Sequence, residues 1–236
     1  MARCPPTILY RAACQGYRTE NSVTSRAKSR PPRGSMLRSS FMVLGAIALI
    51  VLVYGAPVNA AARDAEGFIR DTGNKAFASL SEEGISKVER TKRFKELLEE
   101  AFDLPRIARF TLGRYWRVAT DTEKREYIGL FEKFIIQAYT KRFQDLSGKK
   151  FHVLQSRDVS ATRALVLTEI VIPNQPAIKI NWRVRSKDDK HKITDVMVEG
   201  ISMSVTQRDE FVSVIRQTGG KVAGLIKALR KKTSSN

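Results

Sequence analysis

Cysteine is nearly absent from this chain. Cys4 and Cys14 are the only two in 236 residues, and both lie ahead of a segment that reads as an export signal. Once that segment is removed no thiol remains, which excludes disulfides, thiolate metal sites and cysteine nucleophiles. Histidine is equally scarce: His152 and His191 are the only two, each at the start of a predicted strand. Neither has a partner at metal-ligand spacing, so both read as surface or edge residues. There is no phosphate-cradling glycine loop, no GxSxG and no HExxH. Acidic residues are also in short supply, with 24 Asp and Glu against 42 Lys and Arg, a net charge of +18. Taken alone, that excess points to nucleic acid.

The N-terminus redirects this reading. Residues 41–56, "FMVLGAIALIVLVYGA", carry no charge, follow Arg38 and lead into "PVNAAA". A basic region, an apolar run and a small-residue cleavage site are the three parts of a secretory signal. Cleavage after Ala60 or after Ala62 fits equally well. Met36 opens a natural signal by itself, "MLRSSF", so residues 1–35 read as a mis-called extension and 36–60 as the signal peptide. The competing reading keeps 41–62 as an uncleaved anchor, since spanning needs about 20 apolar residues. The shorter apolar run and "AAAR" favour cleavage. Residues 61–236 then form a single domain outside the cytoplasm, with 34 basic against 23 acidic residues, a net of +11. Nucleic acid is not an expected partner there, and a domain of this size can bury an ordinary core.

The first half of that domain has helical periodicity. Phe68, Ile69, Thr72, Ala76 and Leu80 recur at three- and four-residue spacing over 64–80. Phe94, Leu97, Leu98, Ala101 and Phe102 do so over about 86–102. Asp103 caps a short helix with Pro105 in its first turn, and Gly113 ends it. Thr120 and Glu123 have capping-box spacing and open the longest helix, expected to run to about Leu146. Its apolar stripe is Tyr127, Leu130, Phe131, Phe134, Ile135 and Ala138. The period then changes to two: 150–156, 163–172, 177–186 and 191–199 read as strands, with turns at "PNQP" and "SKDDKH". On the third, Ile178, Ile180, Trp182 and Val184 alternate with Lys179, Asn181, Arg183 and Arg185. The second, "ALVLTEIVI", is apolar on both faces and should be central. Helical spacing returns from about 206, with a break at Gly219-Gly220. Helices followed by a four-stranded, mainly antiparallel sheet and closing helices define an α+β fold with helices packed on one sheet.

Few residues of the sequence are placed for chemistry. Asp195 and Glu199 share a strand face, but strand spacing separates them by roughly 13 Å, too far to work on one bond. Ser202 and Ser204 have no candidate base and read as polar positions of an alternating strand. An enzyme would have to rely on Asp195, Glu199 and His191, and none is expected. What is abundant is apolar: Phe131, Phe134 and Ile135 on the long helix, Ile170, Ile172, Ile180, Trp182 and Met197 on the sheet. A filled core and a cavity wall use the same residue types, so periodicity leaves both open.

"FDLPRIARFTLGRYWRVAT" (102–120), the long helix with "FEKFIIQAY", "ITDVMVEGISMSVTQRDEF" (193–211) and "GGKVAGLIKAL" come in this order behind a signal. They resemble the MlaC family of toluene-tolerance periplasmic proteins across nearly all of 64–231. Lys192-Ile193 departs from it, where the family usually has a Trp. The resemblance implies a curved sheet and helices enclosing an apolar pocket. It also implies a periplasmic phospholipid carrier, monomeric and without cofactor, with the lipid as cargo. Its partners would be an outer-membrane lipoprotein–porin complex and the lipid-handling subunit of an inner-membrane ABC transporter, in the system that maintains outer-membrane lipid asymmetry. A hopanoid-linked cargo, or an adaptor with a filled core, are the alternatives.

The physics suits a carrier. Two acyl chains of about 15 methylenes each represent on the order of 20 kcal/mol of apolar burial, so they must be hidden in a pocket of roughly 1,000 Å³. The inward positions of helix and sheet are the expected lipid-binding residues: Phe131, Phe134, Ile135 and Ala138, with Ile170, Ile172, Ile180, Trp182, Val184 and Met197. Leu112, Tyr115 and Trp116 are expected to pack the junction between the short and long helices. Arg106, Arg109, Arg114 and Arg117 are expected as a solvated rim that faces headgroups or an acidic partner.

Overall fold

The computed structural model describes residues 60–140, 149–188 and 190–234. The proposed extension and signal, and the expected end of the long helix near Leu146, lie outside the described residues. The helices are α1 (Ala60–Leu80), α2 (Lys87–Ala101), α3 (Leu104–Leu112), α4 (Asp121–Thr140), α5 (Met203–Gln217) and α6 (Val222–Ser234). A 3-10 turn, Gly113–Arg117, follows α3.

Local chemistry sets the helix ends. The Ser86 hydroxyl accepts from the Glu89 amide at the start of α2. Asp103 accepts from the Arg106 amide at the start of α3, where Pro105 needs no amide partner. Gly113 ends α3 at φ 58°, a value that favours glycine. Before α4 the capping box is closed in both directions: the Thr120 amide donates to Glu123 at 2.9 Å, and the Glu123 amide to Thr120 Oγ1 at 3.2 Å.

The strands are β1 (Lys150–Ser160), β2 (Arg163–Val171), β3 (Ile178–Lys187), β4 (Lys190–Val198) and β5 (Ile201–Ser202). They form one antiparallel sheet in chain order, with β2 inside it as its two apolar faces require. The sheet therefore has five strands, not four. Glu199 and Gly200 both have positive φ, 49° and 81°, and turn the chain tightly from β4 into β5. Ser202 ends β5, as a strand position, but Ser204 does not continue it. The Ser202 hydroxyl accepts from the Val205 amide as the N-cap of α5, and Ser204 lies in that helix.

Apolar burial divides into two cores. One is helical, built from α2, α3, α4, α5 and α6 around Tyr127, Phe131, Phe211 and Leu225. The other lies between α1 and the sheet, where Ala65 and Ile69 pack with Ala164, Val166, Val184 and Ile193. α1 serves both, because Leu80 at its far end belongs to the helical core. Phe102 packs against both as well. The chain is fastened there by the Asp103 amide, which donates to the Ile193 carbonyl at 2.9 Å. Beside that contact Lys192 Nζ donates to the Glu99 and Glu100 carbonyls (3.0 and 2.5 Å) and caps the C-terminal end of α2. The residue that departs from the family pattern thus has a structural task.

Candidate functional site

Antiparallel register decides which sheet residues share a face. Ala164, Val166, Thr168 and Ile170 stand opposite Val184, Trp182, Ile180 and Ile178. Phe151 and Val153 extend this face onto β1, and Ile193, Val196 and Val198 extend it onto β4. α1 covers only part of it. Ala164, Val166, Val184 and Ile193 are sealed beneath Ala65 and Ile69. Toward the other end Ile170, Ile178, Ile180, Trp182 and Val198 remain half-buried. An apolar row left partly open on a sheet that is sealed elsewhere is the feature a dry ligand needs.

Trp182 is fixed within that row. Its indole N–H donates to Thr168 Oγ1 at 2.9 Å, and the Thr168 hydroxyl donates to the Ile180 carbonyl at 2.8 Å. With its one polar atom satisfied, the ring can present an apolar surface at no hydrogen-bonding cost. α1 passes this end of the face with small residues. Gly73 approaches Phe151 so closely that a Cβ would lie 2.2 Å from the ring, and Phe77 meets the same ring at 5.8 Å between centroids. Phe77, Phe151, Val153, Ile178 and Val198 were not among the sequence candidates. Period-two alternation was the available signal for Phe151, Val153 and Ile178.

The expected lipid-binding residues divide by location. Ile170, Ile180 and Trp182 share the partly open face, and Ile172 is half-buried just beyond the end of β2. Met197 stands opposite Asn181, so it is on the other face of the sheet, away from Trp182. Val184 is on the right face but only 1% exposed, and Phe131 is 2% exposed in the helical core. A side chain lining open space keeps accessible surface; these two are packed. Phe134 and Ile135 are half-buried against the helical core, and Ala138 is half-buried on α4.

Asp195 and Glu199 have structural partners. Asp195 accepts from Ser202 Oγ at 2.7 Å, the Ser204 amide at 3.1 Å and Arg183 at 3.2 Å. Glu199 accepts from the Lys179 amide at 2.6 Å, and its own amide donates to the Lys179 carbonyl at 2.9 Å. His191 lies 2.8 Å from Ser186 Oγ, and His152 lies 3.5 Å from Glu169. Among the described residues no group of three or more His, Cys, Asp or Glu is arranged to hold a metal.

Leu112 and Tyr115 are buried in the helical core, and Trp116 packs against it, at the junction where all three were expected. Arg106, Arg109, Arg114 and Arg117 are all exposed. Among the described residues no helix is long and apolar enough to cross a membrane.

The family model for the MlaC protein matches residues 70–231. A phospholipid-binding protein from Ralstonia solanacearum, solved in complex with a phospholipid, is similar in structure at a TM-score of 0.66. It is 19% identical in sequence, and the match covers 72% of this chain and 97% of that one, a likeness of fold.

Proposed function

Because the chain belongs to the MlaC family, we propose that it is a periplasmic phospholipid carrier, moving lipid between an outer-membrane lipoprotein–porin complex and the lipid-handling subunit of an inner-membrane ABC transporter. In that role it helps maintain outer-membrane lipid asymmetry, as a monomer that needs no cofactor and performs no catalysis. The observation that carries the reading is the partly open apolar row around Ile170, Ile180 and Trp182. The phospholipid held by the Ralstonia protein supports it. Acyl tails lie against the row and the headgroup stays in water. Solvent extraction of gently purified protein, followed by mass spectrometry, should recover phospholipid at near-stoichiometric level. A lipid-free extract, with no uptake from vesicles, would overturn the carrier reading in favour of an adaptor.

The walls of the site can be tested separately. Ile180→Trp and Ala138→Trp add bulk at half-buried positions, where an acyl chain would otherwise lie. Extracted lipid should fall several-fold while the melting temperature changes little. Val184→Trp adds the same bulk where α1 already seals the sheet, so overpacking of about 1–3 kcal/mol should appear as lost stability. If Ile180→Trp and Ala138→Trp unfold the protein while its folded fraction keeps its lipid, the tails lie elsewhere.

A further inference from the structure

The surface around α3 and its 3-10 turn collects cations on aromatic faces. Arg109 and Lys124 lie over the Trp116 ring, 5.9 and 5.7 Å from its centroid. Arg114 lies 5.1 Å over Tyr115 and donates to its hydroxyl, and Arg208 of α5 lies 5.4 Å over Phe110. That hydrogen bond first, then the charge of Arg114 and a hydrogen bond and charge from Arg216, lower the Tyr115 phenol below its usual range against the opposing effect of burial. Carboxylates nearby are already engaged. Asp103 pairs with Arg106 and caps α3, Asp121 pairs with Lys124, and Glu123 closes the capping box. Two apolar side chains flank the turn in sequence and are exposed, Phe110 at 41% and Val118 at 73%.

We infer that this face docks on the surface of an anionic phospholipid bilayer. Arginines beside a half-buried Trp and an exposed Phe suit a membrane–water interface, where aromatic rings sit at headgroup depth and cations meet phosphate, while Tyr115 stays in the helical core. Guanidinium groups held over rings stay available to an external anion, whereas groups locked to carboxylates do not. Phe110 and Val118 would enter the interfacial layer while Arg109, Arg114, Arg117 and Arg208 meet headgroups. The purpose of the docking rests on the carrier reading; the patch itself does not. An acidic protein surface is the competing occupant, and the exposed apolar pair flanking the turn favours the bilayer.

The test is sedimentation of the host-processed protein with phosphatidylcholine vesicles, with and without phosphatidylglycerol. Binding should require phosphatidylglycerol and weaken as salt rises. Arg109→Gln with Arg117→Gln should cut vesicle partitioning about 25-fold, about fivefold per charge at the surface. Removing two exposed charges from the sheet, Arg157→Gln with Arg163→Gln, should change it less than about twofold on the same scale. Val118→Asp, at a side chain outside both cores, should weaken binding without affecting folding. Equal losses from the two arginine pairs, equal binding to neutral vesicles, no binding to either vesicle, or a Val118→Asp variant that binds as well as the parent would each overturn the inference. Lipid extracted from the same samples keeps the two readings apart. A failed dock leaves cargo present, and a failed carrier leaves docking intact without cargo.

Discussion

Phe131→Ala should destabilise the protein by about 3–5 kcal/mol, the usual cost of removing a buried phenylalanine. The Phe131 ring is 2% exposed and lies 6.1 Å from Tyr127 and 6.3 Å from Phe211, the latter edge-on. Tyr127 is tied in turn by its hydroxyl to Thr111 at 2.8 Å, both side chains fully buried. Burial pushes the Tyr127 phenol upward, so it stays neutral at any ordinary pH. With its partners fixed, the site cannot collapse around the missing ring, and the cavity cost is felt in full. Thermal unfolding should show a fall of about 10 °C for a domain of this size. Phospholipid extracted from the surviving folded protein should match the parent. If lipid is lost while stability is kept, Phe131 is part of the lipid site and the helical core has been misread.

Asp195→Ala should cost about 2–4 kcal/mol, for a different reason. Its carboxylate is buried, 5% exposed, and accepts from the Ser202 hydroxyl and the Ser204 amide at the start of α5. Removing it strands a buried amide and frees the serine that caps the same helix. The Arg183 ion pair contributes little by comparison, because that arginine is about half exposed and its charge is screened. Arg183→Ala should therefore cost less than about 1 kcal/mol. Urea midpoints of the two variants decide the matter: equal losses would mean the ion pair, not the helix start, is what Asp195 supports.

Much of the helical half was legible because its ends are signalled chemically. Asp103 with Pro105, Gly113 and the Thr120–Glu123 pair are local devices, and each is found where its spacing predicts; Ser86, which caps α2, was not singled out. The sheet was legible except where it departs from a strict period of two. Between Arg183 and Val184 the partner strand shifts register: Arg183 pairs with Asp195, but Val184 pairs with Ile193, leaving Thr194 over. That extra residue reverses the facing of β4. Met197, expected among the inward sheet residues, therefore stands on the other face, opposite Asn181. Leu154 and Val159, at the two register shifts of β1, are exposed although apolar. β5 has only two residues and no period of its own, so "ISMSV" resembled a longer strand, although the strand ends at Ser202, which also caps α5. The cation–aromatic face around Trp116 was half-visible: "GRYWR" showed the residue types, but Lys124 and Arg208 come from other helices and only the fold assembles them.

Two cores that share α1 have a consequence for how such a protein diverges. In a single packed core every enlargement of a binding space removes contacts that hold the chain together, so capacity and robustness trade against each other. Here the aromatic cluster of Tyr127, Phe131 and Phe211 lies in one core, while the partly open row of Ile170, Ile180 and Trp182 lies on a sheet whose own sealed end is anchored under Ala65 and Ile69. Substitutions at the open end leave both anchors in place. The shape and polarity of the open row can therefore change by substitution at a few sheet positions, without compensating changes in the helices that keep the chain folded.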